Sequence, residues 1–233
     1  MSRSILTALP KCLFLSVSLF LALPDVASAA PTMQQWQAGQ SQTYTLLAAR
    51  RNREAEASAK QLVGIAEQMG PLPRNFGVLV DSLGLLARAY EEQNRPADAI
   101  PVRRRYLEVF EAQLGKEHPD VCLPLATLAR LYVKTGKTAE AEAAYKRAVA
   151  IREKADPEHA TGALMNLARF YQKLNKHKEA EETYLRLAAL YEKQNGARDP
   201  RLKPILIELA NLATAQGHEK EAKSYAARSA KIG

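Results

Sequence analysis

Cysteine, histidine and tryptophan are scarce in this chain of 233 residues, and the scarcity closes several classes of function. The 2 cysteines are Cys12 and Cys122. Cys12 lies in a leader-like stretch, so the remainder of the chain cannot carry an internal disulfide. Cys122 has no His or Lys beside it to lower its pKa and reads as a small, partly buried residue at a helix start, the alternative being an intermolecular disulfide in an oxidising compartment. The 4 histidines, His118, His159, His177 and His218, fall in expected loops and turns without a Cys or second His nearby. No His-Glu-x-x-His, Gly-x-Ser-x-Gly or glycine-rich phosphate loop is present, so the expectation is no catalysis, no cofactor and no metal site. No stretch alternates with a period of two over strand length, which argues against β-structure.

Long apolar runs are also missing, with one exception at the start. Arg3 and Lys11 precede the run Cys12 to Leu23, Pro24 breaks it, and Ala27-Ser28-Ala29 supplies small residues ahead of a cleavage point. This is the pattern of a secretory signal peptide over residues 1–29, and the run is too short for a spanning helix, which needs roughly 20 residues. The chain is therefore expected to be exported, periplasmic or secreted, and not membrane-spanning. The full chain carries a net charge of +8, reduced by one when Arg3, Lys11 and Asp25 leave with the leader. A basic exported protein suits an acidic partner, while export argues against nucleic acid.

What the chain has in abundance is a repeated figure. Leu86-Ala87-Arg88-Ala89-Tyr90, Leu128-Ala129-Arg130-Leu131-Tyr132 and Leu167-Ala168-Arg169-Phe170-Tyr171 are followed nine residues after the tyrosine by Ala99, Ala141 and Ala180, and Leu209-Ala210 leads to Ala222. The leucines are 42, 39 and 42 residues apart, and Ala57 extends the alanine series to an N-terminal unit. A fixed period near forty means stacked helical hairpins rather than one globular core. The units read as 43–74, 75–117, 118–156, 157–198 and 199–233, after a polar lead-in over 30–42 that contains Trp36. Turns are expected at Arg51-Asn52-Arg53, Asn94-Arg95-Pro96, Gly136-Lys137, Asn175-Lys176 and Gly217-His218. Pro96 fits a first helical position, whereas Pro101 should bend its helix unless that helix starts late.

The figure Leu-Ala-x-x-Tyr with Ala nine residues on resembles the tetratricopeptide repeat, and His118-Pro119-Asp120-Val121 with the long second helix through Lys154 resembles the longer repeat of kinesin light chains. Glu111, Glu153 and Glu192 stand where that family's helix-ending proline would sit, and Arg103 replaces an aromatic. The resemblance implies an all-α, right-handed superhelical solenoid whose first helices line a concave groove for peptides or partner proteins.

Arg88, Arg130 and Arg169 each lie two residues after the unit's leucine, with Asn211 in that place in the last unit. Two residues rotate about 200° on a helix, so this position faces away from the leucine, and the resemblance places it on the concave surface. Lys134 and Lys173, four residues further on, and Asn166, one residue before its leucine, extend the set. Guanidinium forks suit carboxylates, so the expected ligand is an acidic peptide or a C-terminal carboxylate of a protein partner. Arg103-Arg104-Arg105 is expected on a solvated outer face, because consecutive helical residues point in different directions. Two other readings stand beside this one: an accessory subunit of a cell-envelope enzyme, and a structural homo-oligomer in which Leu202, Ile205, Leu209, Tyr225 and Ile232 of the last hairpin self-associate.

Overall fold

The computed structural model describes residues 30–232; the expected signal peptide lies outside them. Ten helices pair in sequence: α1 (Met33–Ala48) with α2 (Asn52–Gln68), α3 (Phe76–Glu92) with α4 (Pro96–Leu114), α5 (Cys122–Lys134) with α6 (Thr138–Ala155), α7 (Thr161–Lys173) with α8 (His177–Asn195), and α9 (Leu202–Ala215) with α10 (Glu219–Ala230). Short 3-10 turns, Pro119–Val121 and Pro157–His159, lead into α5 and α7. No strand occurs among the described residues.

Each hairpin turns in the same way. A residue at positive φ (Arg50, Asn94, Gly136, Asn175 or Gly217) follows the first helix. The next N–H then reaches back five residues, as from Arg95 to Tyr90 O at 3.0 Å and from Lys137 to Tyr132 O at 2.9 Å. This pairing satisfies carbonyls that a helix end leaves bare, and it favours Gly or Asn at the left-handed position. The first unit places Arg50 there, at φ 57°. Its turn therefore opens at Arg50, one residue before the expected Arg51-Asn52-Arg53, and its packing alanine lies two residues before Ala57. Ala55, not Ala57, donates to the residue that opens the second helix, as Ala99, Ala141, Ala180 and Ala222 do in theirs. Ala55, Ala99, Ala141 and Ala180 are wholly buried, whereas Ala57 is exposed.

The stretch 30–42 is not a polar lead-in. Helix α1 starts at Met33, behind a capping box in which the Gln35 N–H donates to Thr32 Oγ1 at 3.2 Å and the Thr32 N–H donates to Gln35 Oε1 at 2.8 Å. Trp36 is buried and donates its indole N–H to Ser82 Oγ at 2.8 Å. Gly39 admits the neighbouring helix closely: a Cβ there would stand 2.9 Å from Leu62 Cδ2. The buried Thr43 hydroxyl lies 2.7 Å from that of Ser58. A tryptophan, a glycine and a threonine thus do the packing that leucines do elsewhere, which hides the helical stripe.

Helix α4 is continuous from Pro96, with the exposed Pro101 inside it, so a late helix start is ruled out. At the other end, Leu202, Ile205, Leu209 and Ile232 are at most 2% exposed and Tyr225 is half-buried. The apolar set expected to drive self-association is already consumed inside the chain's own last hairpin.

The second helices are tied to one another by a ladder of ion pairs. Glu67 pairs with Arg105, Glu111 with Arg147 at 2.6 Å, Glu153 with Arg186, and Glu192 with Arg228. Each pair joins successive second helices. Three of these glutamates stand where a shorter repeat ends its helix, and the extra turns supply the carboxylates.

Candidate partner-binding groove

The first helices line a groove made of three connected cavities. The first, about 360 Å³, is bounded by Tyr44 of α1, Asp81, Arg88 and Glu91 of α3, and Arg103 and Tyr106 of α4. Arg103 and Tyr106 also wall the second, of about 260 Å³, with Leu123, Thr127 and Arg130 of α5, Tyr145 and Asn166. The third, about 350 Å³, shares Leu123, Tyr145 and Asn166 and adds Arg152 and His159.

The sequence-derived ladder maps onto this groove in part. Arg88 borders the first cavity, Arg130 the second, and Asn166 the second and third. Arg169, Lys134, Lys173 and Asn211 are exposed but do not border these cavities. Arg88 stands 3.8 Å from Glu92, with both side chains about half exposed. Arg130 carries no ion pair among the described residues.

Arg103 departs from the expectation for its triplet. Its Nε and Nη2 both donate to Glu91 Oε1, at 3.0 and 2.8 Å, and the two side chains are only 15% and 18% exposed. The guanidinium lies 5.7 Å from the Tyr106 ring centre. Its neighbours point elsewhere: Arg104 donates to the Tyr132 hydroxyl at 3.3 Å, and Arg105 joins the outer ladder through Glu67. The solvated outer face is therefore wrong for Arg103, which Glu91 draws into the groove wall, while Arg104 and Arg105 are exposed. Arg103, Tyr106, Tyr145 and Leu123 are the groove residues that sequence reasoning passed over. Leu123 carried a signal: it is 72% exposed, an apolar residue at the place where the other units have Asp81, Gly162 and Pro204. Burial raises the pKa of the Tyr106 and Tyr145 hydroxyls, with Arg103 and Arg130 respectively opposing it. Both phenols stay neutral hydrogen-bonding groups at physiological pH.

Cys122 is buried, with Sγ 3.4 Å from Ala148 O, and burial raises its thiol pKa against the pull of Arg152. That environment withholds the reactive thiolate. His118 accepts the Asp120 N–H at 3.2 Å and closes a 3-10 turn. No three His, Cys, Asp or Glu side chains cluster to hold a metal among the described residues, and none of the described helices is long and apolar enough to cross a membrane.

A larger cavity lies away from the groove. It measures about 430 Å³, opens between α6 and α8, and meets a second of about 350 Å³ at the Glu153–Arg186 pair. The cations on its wall are already engaged, Lys146 by Glu142 at 2.7 Å and Arg186 by Glu153.

The profile of the tetratricopeptide repeat family matches residues 79–154 and 160–232. No curated protein matches. Among solved structures, a Podosopora anserina kinesin light chain with nearly identical TPR-like repeats is similar with TM-score 0.68 and 23% identity, covering 85% of this chain and 94% of that one. BtubC from P. vanneervenii is similar with TM-score 0.66 and 20% identity, over 85% and 80% of the two chains. The MamA protein follows at TM-score 0.56 and 17% identity, over 83% and 89%. At these identities the structural likeness speaks for the fold, a helical-repeat solenoid. With the family profile matching well over half of the chain, the protein belongs to the tetratricopeptide repeat family.

Proposed function

We propose that the protein is an exported, non-catalytic scaffold or adaptor that holds an acidic segment of a protein partner in the groove along α3, α5 and α7. One observation carries this reading: Arg130, without an ion pair among the described residues, borders a cavity beside the exposed Leu123, with Arg88 loosely held one unit away. A free guanidinium next to an apolar contact and aromatic walls suits a carboxylate on a peptide that also buries an apolar side chain. The enzyme-accessory reading is compatible with the same groove and differs only in who the partner is.

The test is capture from exporting cells with cross-linking, comparing the wild type with Arg88→Glu/Arg130→Glu/Arg169→Glu. Partners held by the wild type and lost by a folded triple variant are expected. Partners held equally by both would move binding away from the groove. Export itself is tested on the intact mass of the mature chain, which should begin at Ala30.

A further inference from the structure

In the second and fourth units, the residue five after the leucine of the repeated figure bonds to the residue twelve positions later on the second helix. In the fourth unit this pair is Gln172 and Tyr184, joined by a neutral hydrogen bond of 3.1 Å from the phenol to Gln172 Oε1. The third unit has Val133 and Tyr145 at the same positions, and the fifth has Thr214 and Ala226. Among the described residues, only the second unit places an ion pair there, Glu91 with Arg103. The neighbouring units close their hairpins without charge at this point, so the fold does not require it.

The position of the pair is informative. Arg103 walls both the first and the second cavity, between Arg88 on one side and Arg130 on the other. Two of its N–H groups converge on one oxygen, Glu91 Oε1, and its plane rests by the Tyr106 ring. Three guanidiniums thus stand along the middle of the groove, and the central one is answered by a carboxylate of the chain itself.

We propose that Glu91 is an internal competitor for the partner's carboxylate, a specificity-determining residue that occupies Arg103 and sets how acidic a segment must be before it is held. This rests on the acidic-ligand reading above. Glu91 plays the part of the ligand's acid in the empty groove. An acidic segment must share Arg103 with Glu91 or draw it away, which penalises singly charged peptides more than those with several carboxylates.

The experiment is fluorescence anisotropy of the full exported chain with a fluorescein-labelled hexaglutamate peptide at fixed ionic strength. Glu91→Gln is expected to bind about fivefold tighter than the wild type, since it releases a partly buried guanidinium. Glu140→Gln makes the same charge change on an exposed residue of α6 and should move the affinity less than about twofold. Glu91→Gln/Arg103→Tyr installs the fourth unit's Gln–Tyr pair, which keeps the hairpin closed, and should lose the gain. Glu91→Gln binding no more tightly than Glu140→Gln overturns the inference. If Arg130→Glu still abolishes binding in that case, the groove reading survives without it. Absence of binding by both the wild type and Glu91→Gln overturns both.

Discussion

The indole N–H of Trp36 donates to the Ser82 hydroxyl at 2.8 Å, joining the first helix to the third across 46 residues of sequence. Ser82 passes the bond on to Val78 O at 2.7 Å, so the buried donor and acceptor are both satisfied. Ser82→Ala leaves the indole N–H unpaired in a dry site and should cost about 1–3 kcal/mol. Trp36→Ala removes a buried aromatic as well and should cost about 3–5 kcal/mol. Urea unfolding checks both, and wild-type stability for either would detach α1 from the repeat array.

The shift of the packing alanine in the first unit makes a paired prediction. Ala141→Leu and Ala55→Leu should each overpack a helix crossing and cost about 1–3 kcal/mol. Ala57→Leu, on an exposed position, should change stability by less than about 0.5 kcal/mol. Thermal melts of the three variants decide the register: destabilisation by Ala57→Leu alone would restore the even spacing.

Glu56 and Glu142 predict an acid limb in stability. The Glu142 carboxyl is held at about 2, first by the hydrogen bond from Lys146 and then by that from Lys176. Glu56 is also held at about 2, chiefly by Lys60, with burial opposing and Gln93 assisting. The ordinary value is 4.5, so the folded value is the lower one and protons favour the unfolded chain. Their stabilisation is whole above about pH 4.5 and disappears as the pH falls towards 2. The melting temperature should fall across that window, and Glu142→Gln should start lower and fall less steeply. An equal slope in the variant would remove Glu142 from the account.

The outer ladder predicts a salt effect. Arg147 and Glu111 are only 34% and 15% exposed, whereas Arg105 and Glu67 are 46% and 45% exposed. Arg147→Ala should cost about 1 kcal/mol and Arg105→Ala less, since exposed pairs contribute about 0.2–1 kcal/mol and are screened. Melts at low and high salt should shrink the Arg105 effect more than that of Arg147.

How much of this was legible in the sequence depended on how local the controlling contact is. Asn94, Gly136, Asn175 and Gly217 announce their turns because few other residues take positive φ readily. Arg50 does the same job without a signal, and the misplaced first turn follows from it. The three guanidiniums of the repeated figure were visible as a period, and two of them border the groove. The direction of Arg103 was not visible, since it is set by Glu91 on the facing helix. The outer ladder was hidden for the same reason: each arginine answers a glutamate 33 to 38 residues away in the preceding unit.

That ladder also bears on how successive units can tilt against one another. The pairs lie on the side of the second helices, opposite the first helices that face the groove, and each spans one unit. Narrowing the groove around a ligand splays the outer helices and stretches every rung, and flattening the array presses the rungs together. The rungs therefore couple each unit to the next through residues that do not border the groove's cavities.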